Sequence, residues 1–383
     1  MSDTQFSAGL EDVVAVSSEI CFIDGDMGRL VYRGYDIHDL IAGGSNFEEV
    51  VYLLWNGELP TAAQLRVFDE ELKAQRPLTE MAVKALHTLP REGNAMEMLR
   101  TLVSVAGLWD GEDDDHSYEA SVRKAARLVA KLPTMVAAIE HYKEGREPIA
   151  PRADLAHAAN FLYMLTGVAP DEYTARAIDI ALILHADHEL NASTFSARVT
   201  AATLSDMYSA VTSAVGTLKG PLHGGANEQV MLMLKEIGGV SETEPWIRKA
   251  LAEKRRIMGF GHRVYHTEDP RATHLRQMSR EMGERTGQTQ WYEMSQVIER
   301  VVKEQKGLNP NVDFYSASTY YTMGIPIHLF TPIFAVSRIS GWTAHVLEQY
   351  RHNRLIRPRA DYEGIKRRAY TPLAERGDQK VTE

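Results

Sequence analysis

A mainly α-helical fold of two lobes, with a small β element at the N-terminus, is predicted by three features of the sequence. Apolar residues recur at helical spacing along most of the chain, strand-like alternation ends before Phe47, and 383 residues exceed one ordinary compact domain. The hydrophobic fraction of 44% and charged fraction of 25% are those of a folded globular protein. No fixed-period repeat runs through the chain, which disfavours a helical solenoid scaffold.

The chain opens with short apolar runs divided by turn signals, VVAVSS, EICFID and GDMGRLVYRGYDI, predicting two or three short strands with tight turns at Gly25 and Gly28. Phe47, Val50, Val51 and Leu54 then stand at i, i+3, i+4 and i+7, predicting a helix that stops at Asn56-Gly57. Ile178, Ala181, Leu182 and His185 form a second stripe, and Val230, Met233, Leu234 and Ile237 a third that ends at Gly238-Gly239. Ile339, Trp342, Val346, Leu347 and Tyr350 form another near the C-terminus. Loops are expected at 111–117, 145–152 and 284–290, where Gly, Pro, Asp, Ser and Thr cluster.

The formal net charge of −10 disfavours general nucleic-acid binding, which needs a basic face. The apolar passage from Tyr320 to Val336 is broken by Gly324, Pro326, His328 and Pro332, so no membrane span is expected. MSDTQFSAGLEDV lacks the basic region and apolar run of a secretory signal, and a cytoplasmic protein is expected. Cys21 is the only cysteine, which excludes an internal disulfide; it is expected to lie buried in an N-terminal strand. Positive charge is concentrated from Arg338 to Arg368, mostly as a solvated face, although a subset can clamp a small polycarboxylate by paired N–H bonds.

Four segments after Ala186 carry the candidate chemistry. In GPLHGGANE, Gly224-Gly225 lead into the Val230 helix and set His223 at a helix N-terminus, where positive charge on the ring is discouraged. A neutral imidazole there can donate to a developing enolate oxygen, although the segment taken alone reads more simply as a turn histidine. In IMGFGHRVYHTEDPRA, Gly259 and Gly261 allow a backbone tight enough to wrap a ligand, with His262 projecting from it. The Rossmann and phosphate-loop patterns are absent. Asp313 of NVDFYS sits between Val312 and Phe314, an apolar setting that raises a carboxylate towards useful base strength; a helix-capping aspartate is the other reading. His185 and His188 of the first segment make an H-x-x-H pair that raises a metal-dependent hydrolase as an alternative. No third ligand stands at a recognisable spacing, so His185 is read as a core histidine, His188 as a pocket residue, and no metal is expected.

With DHELNASTFSARV, GPLHGGANE, GFGHRVYHTEDPRA, NVDFYS and IRPR in this order, and GRLVYRGYDI and FEEVVYLLWNGELPT before them, the chain resembles the citrate synthase family from about Gly9 to Tyr362. The resemblance implies an all-α, two-domain fold: a large domain from 1–225 and 320–383, a small one from 226–319, and a hinge that closes over substrate. It implies condensation of acetyl-CoA with oxaloacetate and water to citrate and CoA, with a coenzyme A thioester as substrate and no tightly bound cofactor. By motif position Asp313 takes the acetyl proton, His223 stabilises the enolate, and His262 serves the oxaloacetate carbonyl. His188, Arg271 and Arg338 match oxaloacetate-binding positions, and Arg357 the arginine contributed by the neighbouring subunit, which implies a homodimer. Ile257, Met258, Gly259, Phe260 and Gly261, with Lys306 and Asn311, match the CoA-binding region. Ala317 stands where many members have glycine, and the N-terminal extension of the larger NADH-inhibited members is not expected. The near alternative is 2-methylcitrate synthase, which uses propionyl-CoA and often has HSFNAST where this chain has HELNAST.

Overall fold

Residues 7–11, 13–112, 115 and 117–376 are described by the structure, a computed structural model. The strands Cys21–Asp24, Arg29–Tyr32 and Tyr35–Asp36 form one antiparallel sheet in sequence order, with Asp24 paired to Arg29 across the first turn and Tyr32 to Tyr35 across the second. Val13–Ser18, grouped with the strand-like runs on sequence, has no regular structure, and Cys21 is half-buried rather than buried. The remainder is helical, with sixteen α-helices among the described residues.

Polar caps set the helix starts. The side chain of Asn46 accepts from Glu49 N ahead of Phe47–Asn56, Asp171 caps Glu172–His185, and Asn191 caps Ala192–Ala201. The predicted stripe Phe47, Val50, Val51 and Leu54 is wholly buried, as are Ile178, Ala181, Leu182 and His185. Phe330–Arg351 is buried along almost its whole length and packs against Phe47–Asn56, Tyr118–Lys143, Glu172–His185, Ala192–Ala201 and Met207–Leu218. Its polar residues are satisfied locally: Thr343 Oγ1 donates to Ile339 O at 2.7 Å and Ser340 Oγ to Ser337 O at 2.7 Å.

A second group, Ala226–Ile237, Val240–Ala252, Pro270–Thr286, Gln290–Lys306 and Val312–Thr322, packs largely on itself. Pro270–Thr286 continues to Thr286 and the next helix starts at Gln290, so the loop expected at 284–290 shrinks to three residues around Gly287. Asp113, Asp114 and His116 of the loop expected at 111–117 lie outside the described residues. By contacts, Ser18–Leu355 forms one body, and the chain ends Met1–Ser17 and Ile356–Glu383 form a separate small unit. The described part of that unit contains the 3-10 turns Ala8–Leu10 and Leu373–Glu375 and is largely exposed.

Candidate active site

His262 is carried by the loop between Val240–Ala252 and Pro270–Thr286. The stretch before it lies against the chain that enters Val312–Thr322. Asn311 N donates to Gly259 O at 2.9 Å, Gly261 N donates to Asn309 O at 3.0 Å, and the rings of Phe260 and Phe314 are 4.6 Å apart. Gly259 has φ +81°, and a Cβ there would meet Phe314 and Val230 side-chain atoms at 2.9 Å, so only glycine fits. Beyond it the loop turns back on itself, and the backbone N–H groups of Val264 and Tyr265 donate to His262 Nδ1 at 3.0 and 3.2 Å. Such groups only donate, so the neutral ring must carry its proton on Nε2. Burial, aided by the charge of Arg271, lowers the His262 pKa to about 4 and keeps the ring neutral.

Asp313 stands in the first turn of Val312–Thr322. Asn311 caps that helix: its Oδ1 accepts from Asp313 N at 3.0 Å, and its Nδ2 donates to Gly261 O at 3.0 Å. One amide therefore fixes both the His262 loop and the start of the Asp313 helix, and the capping role falls to Asn311 rather than Asp313. A helix N-terminus favours an ionised carboxylate. Burial wins nonetheless, pushing the Asp313 pKa up to about 7 against the pull of Arg271 and Arg338. Asp313 as a residue is half-buried, but its Oδ1 is closed to solvent and has no hydrogen-bond partner among the described residues. That is the condition of a poised base.

His223 lies in the turn that leads into Ala226–Ile237, whose cap is Gly225. Its Nε2 is 2.8 Å from Ser193 Oγ and 3.3 Å from Ser193 N. The Ser193 backbone N–H can only donate, which makes Nε2 an acceptor and puts the ring proton on Nδ1. Ser193 Oγ is itself held by the indole N–H of Trp342 at 3.0 Å. Burial and the nearby Arg338 lower the His223 pKa to about 4.

Two buried arginines complete the set. Arg271 is gripped by Asp269, whose Oδ1 accepts from Nε at 2.9 Å and whose Oδ2 accepts from Nη2 at 2.8 Å. Oδ2 also accepts from Val312 N at 3.1 Å, joining the arginine to the start of the Asp313 helix. Arg338 donates through Nε to His185 O at 2.7 Å and lies over the Phe334 ring, with no carboxylate in ion-pair reach among the described residues. Burial lowers its pKa to about 10, so it stays charged. His188 is buried, with its ring 5.1 Å from that of His262 and its Nε2 3.2 Å from Tyr265 Oη. Burial, then the charge of Arg271, the neighbouring His262 ring and the charge of Arg338, holds its pKa well below the ordinary histidine value.

His188, Arg271, Arg338, His223, His262 and Asp313 thus share one electrostatic environment: Arg271 acts on His188, His262 and Asp313, and Arg338 on His188, His223 and Asp313. The H-x-x-H pair is split. Glu172–His185 ends at His185, whose Nδ1 faces Ala181 O at 2.8 Å and whose ring packs on Phe334, while His188 turns towards His262. Ile257 and Gly259 are buried, Met258, Phe260, Gly261 and Asn311 are partly buried, and Lys306 is exposed at the end of Gln290–Lys306. Arg357 is exposed in the chain-end unit. Asp269 and Tyr265 were not singled out on sequence. Aspartate before a proline at a helix start is a capping signature that could have marked Asp269; nothing local marks Tyr265.

The family described as citrate synthase, C-terminal domain, matches residues 9–359 of this chain. A citrate synthase of Haloferax volcanii is 53% identical over 97% of this chain and 99% of its own length, and citrate synthase 2 of Bacillus subtilis is 53% identical over 96% and 98%. A 2-methylcitrate synthase of Corynebacterium glutamicum is less similar, 42% identical over 98% and 100%. Among solved structures, the citrate synthase of Thermoplasma acidophilum in ternary complex with carboxymethyl coenzyme A and oxaloacetate aligns with a TM-score of 0.91. It is 34% identical, over 97% of this chain and all of that one.

Proposed function

As a member of the citrate synthase family, the chain is an acyltransferase that condenses acetyl-CoA with oxaloacetate, and we propose that Asp313, His223 and His262 carry the proton movements of that reaction. Asp313 takes a proton from the acetyl methyl group while the Nδ1–H of His223 donates to the thioester oxygen, where charge develops. The enolate carbon attacks the oxaloacetate carbonyl carbon, and the Nε2–H of His262 supplies the proton to the new alkoxide. Water then cleaves the citryl thioester, releasing CoA. One observation carries the assignment: the same two arginines, Arg271 and Arg338, act on Asp313, whose buried Oδ1 has no hydrogen-bond partner among the described residues, and on two neutral rings, and on each ring a backbone N–H occupies the nitrogen that is not protonated. His188, Arg271 and Arg338 receive the substrate carboxylates, for which a fixed guanidinium is suited.

The 257–261 backbone holds the acyl-CoA, with Lys306 meeting its phosphates and Asn311 holding the loop in register. Residues 226–319 act as a small lobe that closes over oxaloacetate; the mutual packing of the helices in this region supports that division. The working unit is a homodimer in which Arg357 reaches the partner's site. It is cytoplasmic and needs no tightly bound cofactor; no helix among the described residues is long and apolar enough to cross a membrane.

Thiol release from acetyl-CoA, measured with and without oxaloacetate, tests the catalytic assignment. Oxaloacetate-dependent release is expected in the wild type, and Asp313→Asn is expected to lower kcat about 10²–10⁴-fold. An Asp313→Asn enzyme with wild-type rate overturns the role of Asp313. Propionyl-CoA in the same assay measures acyl selectivity, since one methylene is worth only about 1–3 kcal/mol in an apolar pocket.

A further inference from the structure

Behind His188 lies a buried polar chain that the proton transfers do not use. His345 Nδ1 faces Arg198 Nη1 at 2.9 Å and must accept, because a guanidinium only donates; His345 Nε2–H therefore points at Asp187 Oδ2, 3.3 Å away. Arg198 continues outward to Glu348 Oε2 at 2.6 Å and Gln349 Oε1 at 3.1 Å. Asp187, His345 and Arg198 are all buried, whereas Glu348 reaches the surface. The chain links the turn after Glu172–His185 to Ala192–Ala201 and to Phe330–Arg351.

Asp187 holds a strained turn. Its Oδ2 accepts from Glu189 N at 3.2 Å, and Glu189 has φ +51°, a left-handed conformation that persists in a non-glycine residue only when neighbours impose it. Phe330–Arg351 presses so close that a Cβ on Gly341 would lie 2.3 Å from Asp187 Oδ1. His188 lies between these two fixed residues. Burial alone would raise the Asp187 pKa, but His345 and then Arg338 outweigh it and hold the carboxyl below its ordinary value.

We infer that His345 is a positioning residue for the dicarboxylate pocket, acting through Asp187 to hold the turn that presents His188. This rests on the oxaloacetate reading above. The relay touches neither the acyl-CoA loop nor Asp313, so its loss strikes one substrate.

The test is steady-state kinetics on His345→Leu and His345→Gln, with the wild type as control. His345→Leu is expected to raise the oxaloacetate KM about tenfold, with kcat and the acetyl-CoA KM within about twofold. Glutamine, whose amide nitrogen reaches roughly the place of Nε2, is expected to return that KM to within about threefold of wild type. An unchanged oxaloacetate KM in His345→Leu overturns the inference, as does a loss of kcat and melting temperature without a KM split. Should His345→Leu fail to fold, Glu348→Gln at the outer end decides: a threefold or larger rise in oxaloacetate KM supports the relay, and an unchanged value overturns it. A wild-type enzyme without oxaloacetate-dependent thiol release would instead refute the oxaloacetate reading.

Discussion

Asp313 is pulled two ways, by a helix N-terminus that favours its charge and by burial that opposes it, and burial prevails. A base with a pKa of about 7 must lose its proton before it can act, so kcat/KM is expected to fall with pH below about 7. A pH–rate profile checks this; an acid limb near the ordinary carboxylate value of about 4 would contradict it. Stability follows the opposite course. The folded pKa lies above the unfolded one, so the ionised carboxylate costs stability above pH 7, and the cost fades as pH falls from about 7 towards about 4. Asp313→Asn is therefore expected to melt a few degrees higher than wild type at pH 8 and no higher at pH 4.5. The apolar neighbours Val312 and Phe314 made this carboxylate legible in the sequence. The ring protons of His223 and His262 were not, because they depend on N–H groups of Ser193, Val264 and Tyr265 that only the folded chain brings to the rings.

Among the elements, the helical stripes were readable because their period is local; the joints between elements were not. Asp269 and Asn311 each tie the His262 segment to the Asp313 helix across some forty to fifty residues of sequence, and no window of ordinary length contains both ends. The loop expected at 284–290 is shorter than its composition suggests for the converse reason. Polar turn-forming residues there continue an exposed helix until Gly287 ends it in a left-handed conformation. Gly259 is a tight joint between the His262 loop and the Asp313 helix. Gly259→Ala combines a positive φ with side-chain contacts at 2.9 Å. It is expected to cost about 2–4 kcal/mol in urea unfolding and to raise the acyl-CoA KM. Unchanged stability would mean that the loop can leave the Asp313 helix without penalty.

At the scale of the molecule, the proposed function calls for a closing lobe and a second subunit. Oxaloacetate at about 100 times its Kd is expected to stabilise the protein by about 2.7 kcal/mol and to reduce its radius of gyration in solution scattering. Identical scattering profiles with and without it would count against a closing lobe. Mixing Asp313→Asn and Arg357→Ala subunits, each inactive alone, is expected to restore roughly a quarter of wild-type activity if Arg357 serves the neighbouring site. No recovery would leave Arg357 working within its own chain. Arg338 carries the remaining consequence. Among the described residues no carboxylate pairs directly with this buried guanidinium, and Asp187 offsets its charge only from a distance whenever the pocket is empty. On the proposed function the substrate doubles as the direct counter-ion of Arg338, and the lifetime of the enzyme against proteolysis should lengthen as that substrate accumulates.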